Sequence, residues 1–343
     1  MTNINDDNNE NEDILLAEGS LFEREFFGVK RHNLISGTAE RLLQSNQAKS
    51  RIRQMLDPLL QGMADIGGWA DEIKPPNVPP DDEFTTRFLE DQRNKNHRNW
   101  HFVNFPLDVD GYSLTEHPTF ASATDVVQIA RASILVLKGE SDRFEEINAL
   151  RLLAHLIGDI HQPIHIGCGY IDESGDIAKL VFDPEIVKQK NLDHDKGGND
   201  LLLPIGSGTS TSLHSYWDSR LGGNVTDLNL TDNADNDEGA AKSMAIEKLL
   251  NLVENAPLAD EQDEELSIDG KPPEDWVTVW ASDSIRQARK AYQSLVITEP
   301  SGNKFKVSWE GKQSYDARCI PVIIGQMRKA AQNLALVLDE VMG

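Results

Sequence analysis

The sequence predicts a mainly α-helical chain built as one domain, and three observations carry that reading. Residues 149–166, ALRLLAHLIGDIHQPIHI, place Leu150, Leu153, Leu156 and Ile157 at helical spacing. The C-terminal stretch repeats the pattern through Ile324, Met327, Ala331, Leu334 and Leu338. Only VITEPSGNKFKVSW has two β-rich runs about a turn, at Pro300, Ser301 and Gly302, so at most a small β-hairpin is expected.

The opening MTNINDDNNENED is polar and acidic, and residues 1–26 hold eight acidic groups against one basic, the composition of a disordered tail. The folded domain is expected to run from residue 27 to 343. FFGVKRHNLISGTAERLLQS introduces His32 and a helical pattern through Ala39, Leu42 and Leu43, and a second helix is predicted over roughly Ala48 to Leu60. MADIGGWADEIK follows, with Asp71 after Trp69 and Ala70. Pro75, Pro76, Pro79 and Pro80 make a loop. It ends in Arg93, Lys95, His97 and Arg98, a cluster able to meet phosphate near His101 but with the mixed charge of a solvated loop. Helical pattern returns between Phe120 and Leu137.

Beyond the 149–166 stretch, residues 167–200 read as a long connection of little regularity that closes on DKGGND. Gly197 and Gly198 there suit either a tight turn or the close approach of a ligand. Residues 222–275 are rich in Asp, Asn and Glu and read as an acidic surface excursion with a short helix around Met244 to Val253. Helical spacing resumes through Trp276, Trp280 and Ala288, and a last helix is predicted from about Pro321 to Val341. The chain contains no internal repeat.

Composition narrows the function classes. A chain of 343 residues with 39% hydrophobic content can bury a sizeable core. No run approaches the eighteen apolar residues of a membrane span, so a soluble protein is expected. The formal charge of −24 argues against a broad basic surface that would neutralise many phosphates. A polyanionic substrate would have to be held locally, most simply by metal charge. Cys168 and Cys319, the only cysteines, allow one bridge at most.

The chemistry gathers on the 149–166 stretch. His155 and Asp159 stand four apart and project from one face of one turn. Pro163 should end or kink that helix and swing His165 back toward the same face. LHSYWD repeats the device with His214 and Asp218. Histidine and aspartate together suit zinc or another borderline divalent metal better than calcium, which wants oxygen ligands. His32, Asp71 and His101 add further donors elsewhere in the chain. Any one of them read singly is a structural residue. Two i,i+4 pairs and donors in four separate places suggest more than one metal.

These texts resemble a known family. FFGVKRH, GGWADEIK, WHFVNFP, AHLIGDIHQPIH, DKGGND and LHSYWDS are similar, in sequence and in order, to the motifs of the S1/P1 family of zinc-dependent single-strand nucleases, whose fold is related to zinc phospholipase C. The resemblance extends from about Phe27 to the terminal helix. It implies an all-helical fold with a three-zinc cluster. One zinc would take Asp71, His101, His155 and Asp159; a second His165, His214 and Asp218; the third would share Asp159 and take His32. It also implies attack on phosphorus by water acidified to a pKa near 7, giving 5′-phosphate products from single-stranded DNA or RNA, with a 3′-nucleotidase side activity. Asp71 would orient that water. Lys74 falls where the family commonly carries an arginine, keeping the charge but losing the bidentate fork.

Phe102 and Asn104 match the family's base-binding positions, one to stack and one to hydrogen-bond, and Asn199 resembles a further position near the site. His161 reads as structural or as support behind the ligands. The family's mature chain begins with a tryptophan whose free amine completes the third zinc site; here Phe27 takes that place behind twenty-six other residues. Processing to Phe27, or a weak third site, is therefore expected. The resemblance implies a secreted or periplasmic protein, whereas residues 1–26 show no charged-then-apolar signal pattern. No protein partner is indicated. Two rival readings are a zinc phospholipase C or phosphomonoesterase, which WHFVNFP disfavours for want of an apolar lipid-seeking loop, and a zinc-binding protein with impaired catalysis.

Overall fold

The computed structural model describes residues 31–59, 61–206, 208–221, 238–255 and 266–343. The acidic tail, Phe27 and much of the acidic excursion lie outside the described residues. Helices α1 (31–42), α2 (Asn46–Leu56), α3 (Met63–Ile66), α4 (Trp69–Glu72) and α5 (Glu83–Glu90) come first. Then follow α6 (Val126–Leu137), α7 (Glu146–Ile160), α8 (Pro163–Ile166), α9 (Pro184–Lys190) and α10 (Leu213–Ser215), the last running into a π-helical turn, Tyr216–Arg220. α11 (Glu238–Asn255), α12 (Pro273–Tyr292) and α13 (Lys312–Met342) complete the α-helices among the described residues. The mainly helical class is the one the sequence predicts.

Helix α7 is the axis of the molecule. Every residue from Ile147 to Ile160 is buried, as suits a helix apolar on nearly all sides. Helices α2 to α6, α12 and α13 pack around it. Its buried polar side chains, Asn148, Arg151, His155 and Asp159, follow one another at three- and four-residue spacing and so form one stripe. Each has partners. Asn148 donates to the Phe84 carbonyl at 3.0 Å. Arg151 meets Asp82 through two bonds of 3.0 and 3.2 Å and lies over the Trp69 ring. His155 and Asp159 end the stripe in the functional site.

The helix stops where the sequence says it should. Pro163 takes the first turn of α8, where its missing N–H costs nothing, and the reversal returns His165 to within 3.1 Å of Asp159. Two other boundaries differ from expectation. Asp125 caps α6 by accepting the N–H groups of Val127 and Gln128, so the pattern from Phe120 is spent in a turn before the helix. Helix α13 begins at Lys312, with Pro321 inside it. The hydrogen bond lost at Pro321 is outweighed by packing of the turn before it, where Tyr315 and Cys319 are fully buried.

The β content exceeds the single hairpin expected. Strands β1 (Phe105–Pro106) and β2 (Gly167–Cys168) pair in parallel. β3 (Tyr170–Asp172) lies between β4 (Lys179–Val181) and β5 (Asp193–His194). β6 (Leu201–Gly206), β7 (Thr209–Ser212), β8 (Val296–Ser301) and β9 (Lys304–Ser308) form a sheet of order β7-β6-β9-β8. The predicted hairpin is therefore half of a four-stranded sheet, completed when Leu201 pairs with Phe305. Residues 167–200 are likewise more regular than expected. Strands of two or three residues carry no readable alternation, and only distant pairing partners reveal them.

Among the described helices none is long and apolar enough to cross a membrane. Cys168 and Cys319 are free thiols, both buried.

The Arg151–Asp82 pair gives a stability prediction. Burial opposes ionisation of Asp82, but the hydrogen bonds from Arg151 and Thr85 prevail and hold its pKa below the ordinary value. Arg151→Ala is expected to cost about 3 kcal/mol, the low end for a broken buried pair because Asp82 is partly wet. A carboxylate with a depressed folded pKa stabilises above its unfolded value and loses that contribution as pH falls through the folded one. The gap in urea midpoint between variant and wild type should thus be full at neutral pH and shrink below about pH 4.

Candidate metal centre

Asp159 stands at the end of α7 with its side chain 2% exposed and its two oxygens facing different neighbours. Oδ1 lies 3.1 Å from His165 Nδ1 and 3.4 Å from His32 Nε2. Oδ2 lies 3.0 Å from His101 Nδ1 and 3.1 Å from His155 Nε2. Asp71, on α4, brings its Oδ1 to 3.6 Å from both His101 Nδ1 and His155 Nε2. Its helix is placed through the GG pair: Gly68, at the N-cap of α4, donates its N–H to Asn33 Oδ1 at 2.8 Å, tying α4 to α1.

The second half of the site is built on the LHSYWD segment. His214 Nε2 is 3.0 Å from Asp218 Oδ2, and His165 Nε2 is 3.5 Å from Asp218 Oδ1. The rings of His165 and His214 stack at 5.1 Å. The i,i+4 pair read from the sequence as one helical turn sits across the junction of α10 with the π-helical turn, which the Leu221 N–H to Tyr216 carbonyl bond closes.

Two histidines are aimed by backbone carbonyls. His155 Nδ1 donates to Gly67 O at 2.8 Å and His214 Nδ1 to Gly197 O at 3.0 Å. A donating Nδ1 leaves Nε2 with the lone pair, so both rings present a metal-binding nitrogen to the carboxylates. Glycine makes the approach of His32 possible as well. A Cβ on Gly158 would stand 2.5 Å from His32 Nδ1, and one on Gly67 would stand 2.4 Å from the His32 carbonyl.

Three groups of donor atoms result, each spanning no more than 4.8 Å: His32, Asp71 and His155; His101, His155 and Asp159; and His165, His214 and Asp218. The eight residues singled out in the sequence as metal donors all come together. The donor set, imidazole plus carboxylate with the buried His165 Nε2 lacking a hydrogen-bond partner among the described residues, fits a borderline divalent cation such as zinc.

Charge separation within the cluster is strong. Burial opposes the ionised forms of Asp159 and Asp218, yet the surrounding histidines hold both well below the usual carboxylate range. Asp71 is lowered too, against its burial, by His155, Lys74 and His101. Burial and then Lys74 push His101 down to about 3, and burial also lowers His32. Against burial, Asp218 and Asp159 push His165 up to about 10. A divalent cation entering this cluster would replace the proton that His165 otherwise carries.

The cluster floors a cleft of about 510 Å³. Phe102, Asn104 and Asn199 line it, and Phe102 is 41% exposed, which sets aside core filling as its role. Lys74 reaches Asp71 Oδ1 at 2.5 Å. Of the loop cluster, Arg93 is held by Asp91 and His97 is buried, whereas Arg98 lines the cleft. His161 lines it too, but both its nitrogens are spent, Nδ1 on the Ile157 carbonyl and Nε2 on the Asn333 amide. Several contributors were missed in the sequence. Gln162 donates to Asp218 Oδ1 at 2.8 Å, and Arg31 anchors the carbonyls of Trp217 and Leu221. His194 faces Asn104 one residue ahead of the DKGGND text that drew attention. A glycine interrupting an otherwise apolar helix at Gly158 was the one readable signal.

Structural metal sites are closed by protein donors, while catalytic ones keep a side open to substrate. Donors buried on α7 but open to a cleft on the other side have the arrangement of a catalytic rather than a closed structural metal site. The family model of the S1/P1 nuclease matches residues 27–343, and the chain belongs to that family. No curated protein compared with the chain matches it. Membership makes it an enzyme of the nuclease and phosphodiesterase class acting on nucleic acid, in a family that is zinc-dependent in general.

Gly158→Ala tests the cradle. Alanine should favour a helix interior by about 1 kcal/mol, so a neutral site would gain stability. Here the methyl displaces His32. Zinc titration of the variant should show one binding step weakened about 10- to 100-fold, with the fold intact by circular dichroism.

Proposed function

We propose that this protein hydrolyses single-stranded DNA and RNA at a zinc centre, leaving 5′-phosphates, with 3′-nucleotidase activity at the same site. The observation that carries the reading is Phe102, an exposed aromatic ring on the wall of the cleft that the donor groups floor. One zinc would be held by Asp71, His101, His155 and Asp159, a second by His165, His214 and Asp218, and a third by His32 together with Asp159. Bound zinc supplies Lewis acidity, which neutralises phosphate charge and acidifies water toward neutral pH.

The chain's own residues do the rest. Phe102 stacks on a base and Asn104 hydrogen-bonds its edge, with Asn199 lining the same wall. A base inside a duplex would have to leave its stack to reach Phe102, which favours single strands. Asp71 accepts from the attacking water and fixes its line of approach. Lys74, held at Asp71, offers its ammonium to the charge that develops on phosphorus. On a chain of charge −24, Lys74, Arg98 and Lys196 line the cleft and give it a local attraction for phosphate.

Release of acid-soluble nucleotides from single-stranded RNA and DNA, with zinc and with a chelator, tests the reading, with duplex and phosphatidylcholine alongside. Chelator-sensitive cleavage of single strands alone is expected. Cleavage of the lipid but not the strands would replace the nuclease with a phospholipase, and zinc binding without turnover would leave a non-catalytic protein. Phe102→Ala should raise KM about tenfold with kcat little changed, since a stacked base contributes about 1–3 kcal/mol. Lys74→Met should lower kcat about 100-fold with zinc content unchanged.

A further inference from the structure

Asn104 is held from two sides. Its backbone carbonyl accepts the Tyr170 hydroxyl at 2.8 Å, and its side-chain Nδ2 stands 3.4 Å from His194 Nε2. Tyr170 and His194 are themselves partners in the pairing of β3 with β5. The amide can turn end for end, so which end faces His194 depends on where that ring carries its hydrogen.

The ring's other nitrogen answers this. His194 Nδ1 lies 3.2 Å from the backbone N–H of Lys196, a group that can only donate and cannot rotate away. Nδ1 must therefore carry the lone pair, and a neutral ring then bears its hydrogen on Nε2. Burial lowers the His194 pKa, which favours the neutral ring at neutral pH. An Nε2–H facing an amide NH2 would set two donors against each other. Exchanging the two ends of the amide, which are alike in shape, sets its oxygen against the ring in place of Nδ2 and turns the NH2 group toward the cleft.

We propose that His194 is a positioning residue that locks Asn104 with its NH2 toward the substrate, so that the base is read by a donated hydrogen bond. Guanine, uracil and thymine carry an oxygen at the position where adenine and cytosine carry an amino group. The lock favours the first set, because an amino group would meet the amide donor head on. This rests on the reading of Phe102 and Asn104 as the base subsite of a nuclease.

The test compares kcat/KM for the dinucleoside monophosphates of guanosine, uridine, adenosine and cytidine, each with two identical bases so that either may occupy the subsite. Wild type with zinc should favour guanosine and uridine by about 3- to 10-fold, the range of one hydrogen bond. His194→Leu frees the amide and should bring the four toward equality. Asn104→Asp, able only to accept, should reverse the order, a change that loss of structure could not produce. Equal rates in wild type, or an order unmoved by both substitutions, would overturn the lock while leaving the nuclease standing. Failure of wild type to cleave any of the four would overturn the nuclease reading and the lock with it.

Discussion

The structure depends on one desolvated charge. Asp159 is ionised inside the protein, and a buried carboxylate is tolerable only if its oxygens are met on every side. Four histidines meet it, two at each oxygen, arriving from α1, from the segment before β1, from α7 itself and from α8. Such an arrangement needs a rigid backbone beneath it. Helix α7 provides that rigidity by being buried along its length, with Arg151 and Asn148 carrying the same polar stripe back to α5 and its cap.

The small sheets serve the opposite side of the cleft. β1 and β2 fix the chain between His101 and Phe105, and the Val103 N–H to His165 carbonyl bond ties that chain to α8. β3 and β5 bring Tyr170 and His194 against Asn104. The site thus has a helical floor that carries the candidate metal donors and a sheet-supported wall that carries Phe102 and Asn104.

Much of this was legible in the order of residues. The i,i+4 pairs His155/Asp159 and His214/Asp218 needed only helix geometry, and Pro163 announced the reversal that returns His165. Family motifs brought in His32, Asp71 and His101, which no local spacing connects to the others. The strands of 167–200 were illegible because runs of two or three residues have no pattern of their own, and the Lys312 start of α13 was hidden by a proline that usually opens helices. The roles of Gln162 and Arg31 were illegible for a different reason: polar residues that support a neighbour carry no signature apart from the neighbour.

By itself, then, the sequence determined which side chains could bind metal, because spacing along a helix fixes the face from which they project. It determined the helical class as well, since apolar periodicity is a local property. Only the tertiary structure decided that Asp159 would be shared among four rings, that Gly158 and Gly67 would make room for His32, and that Phe102 would face the cleft rather than the core. It also decided that the Asn104 amide would face His194, whose Nδ1 is met by the Lys196 backbone N–H ninety-two residues along the chain from Asn104. Contacts of that kind form only when distant segments pack, and no local pattern encodes them.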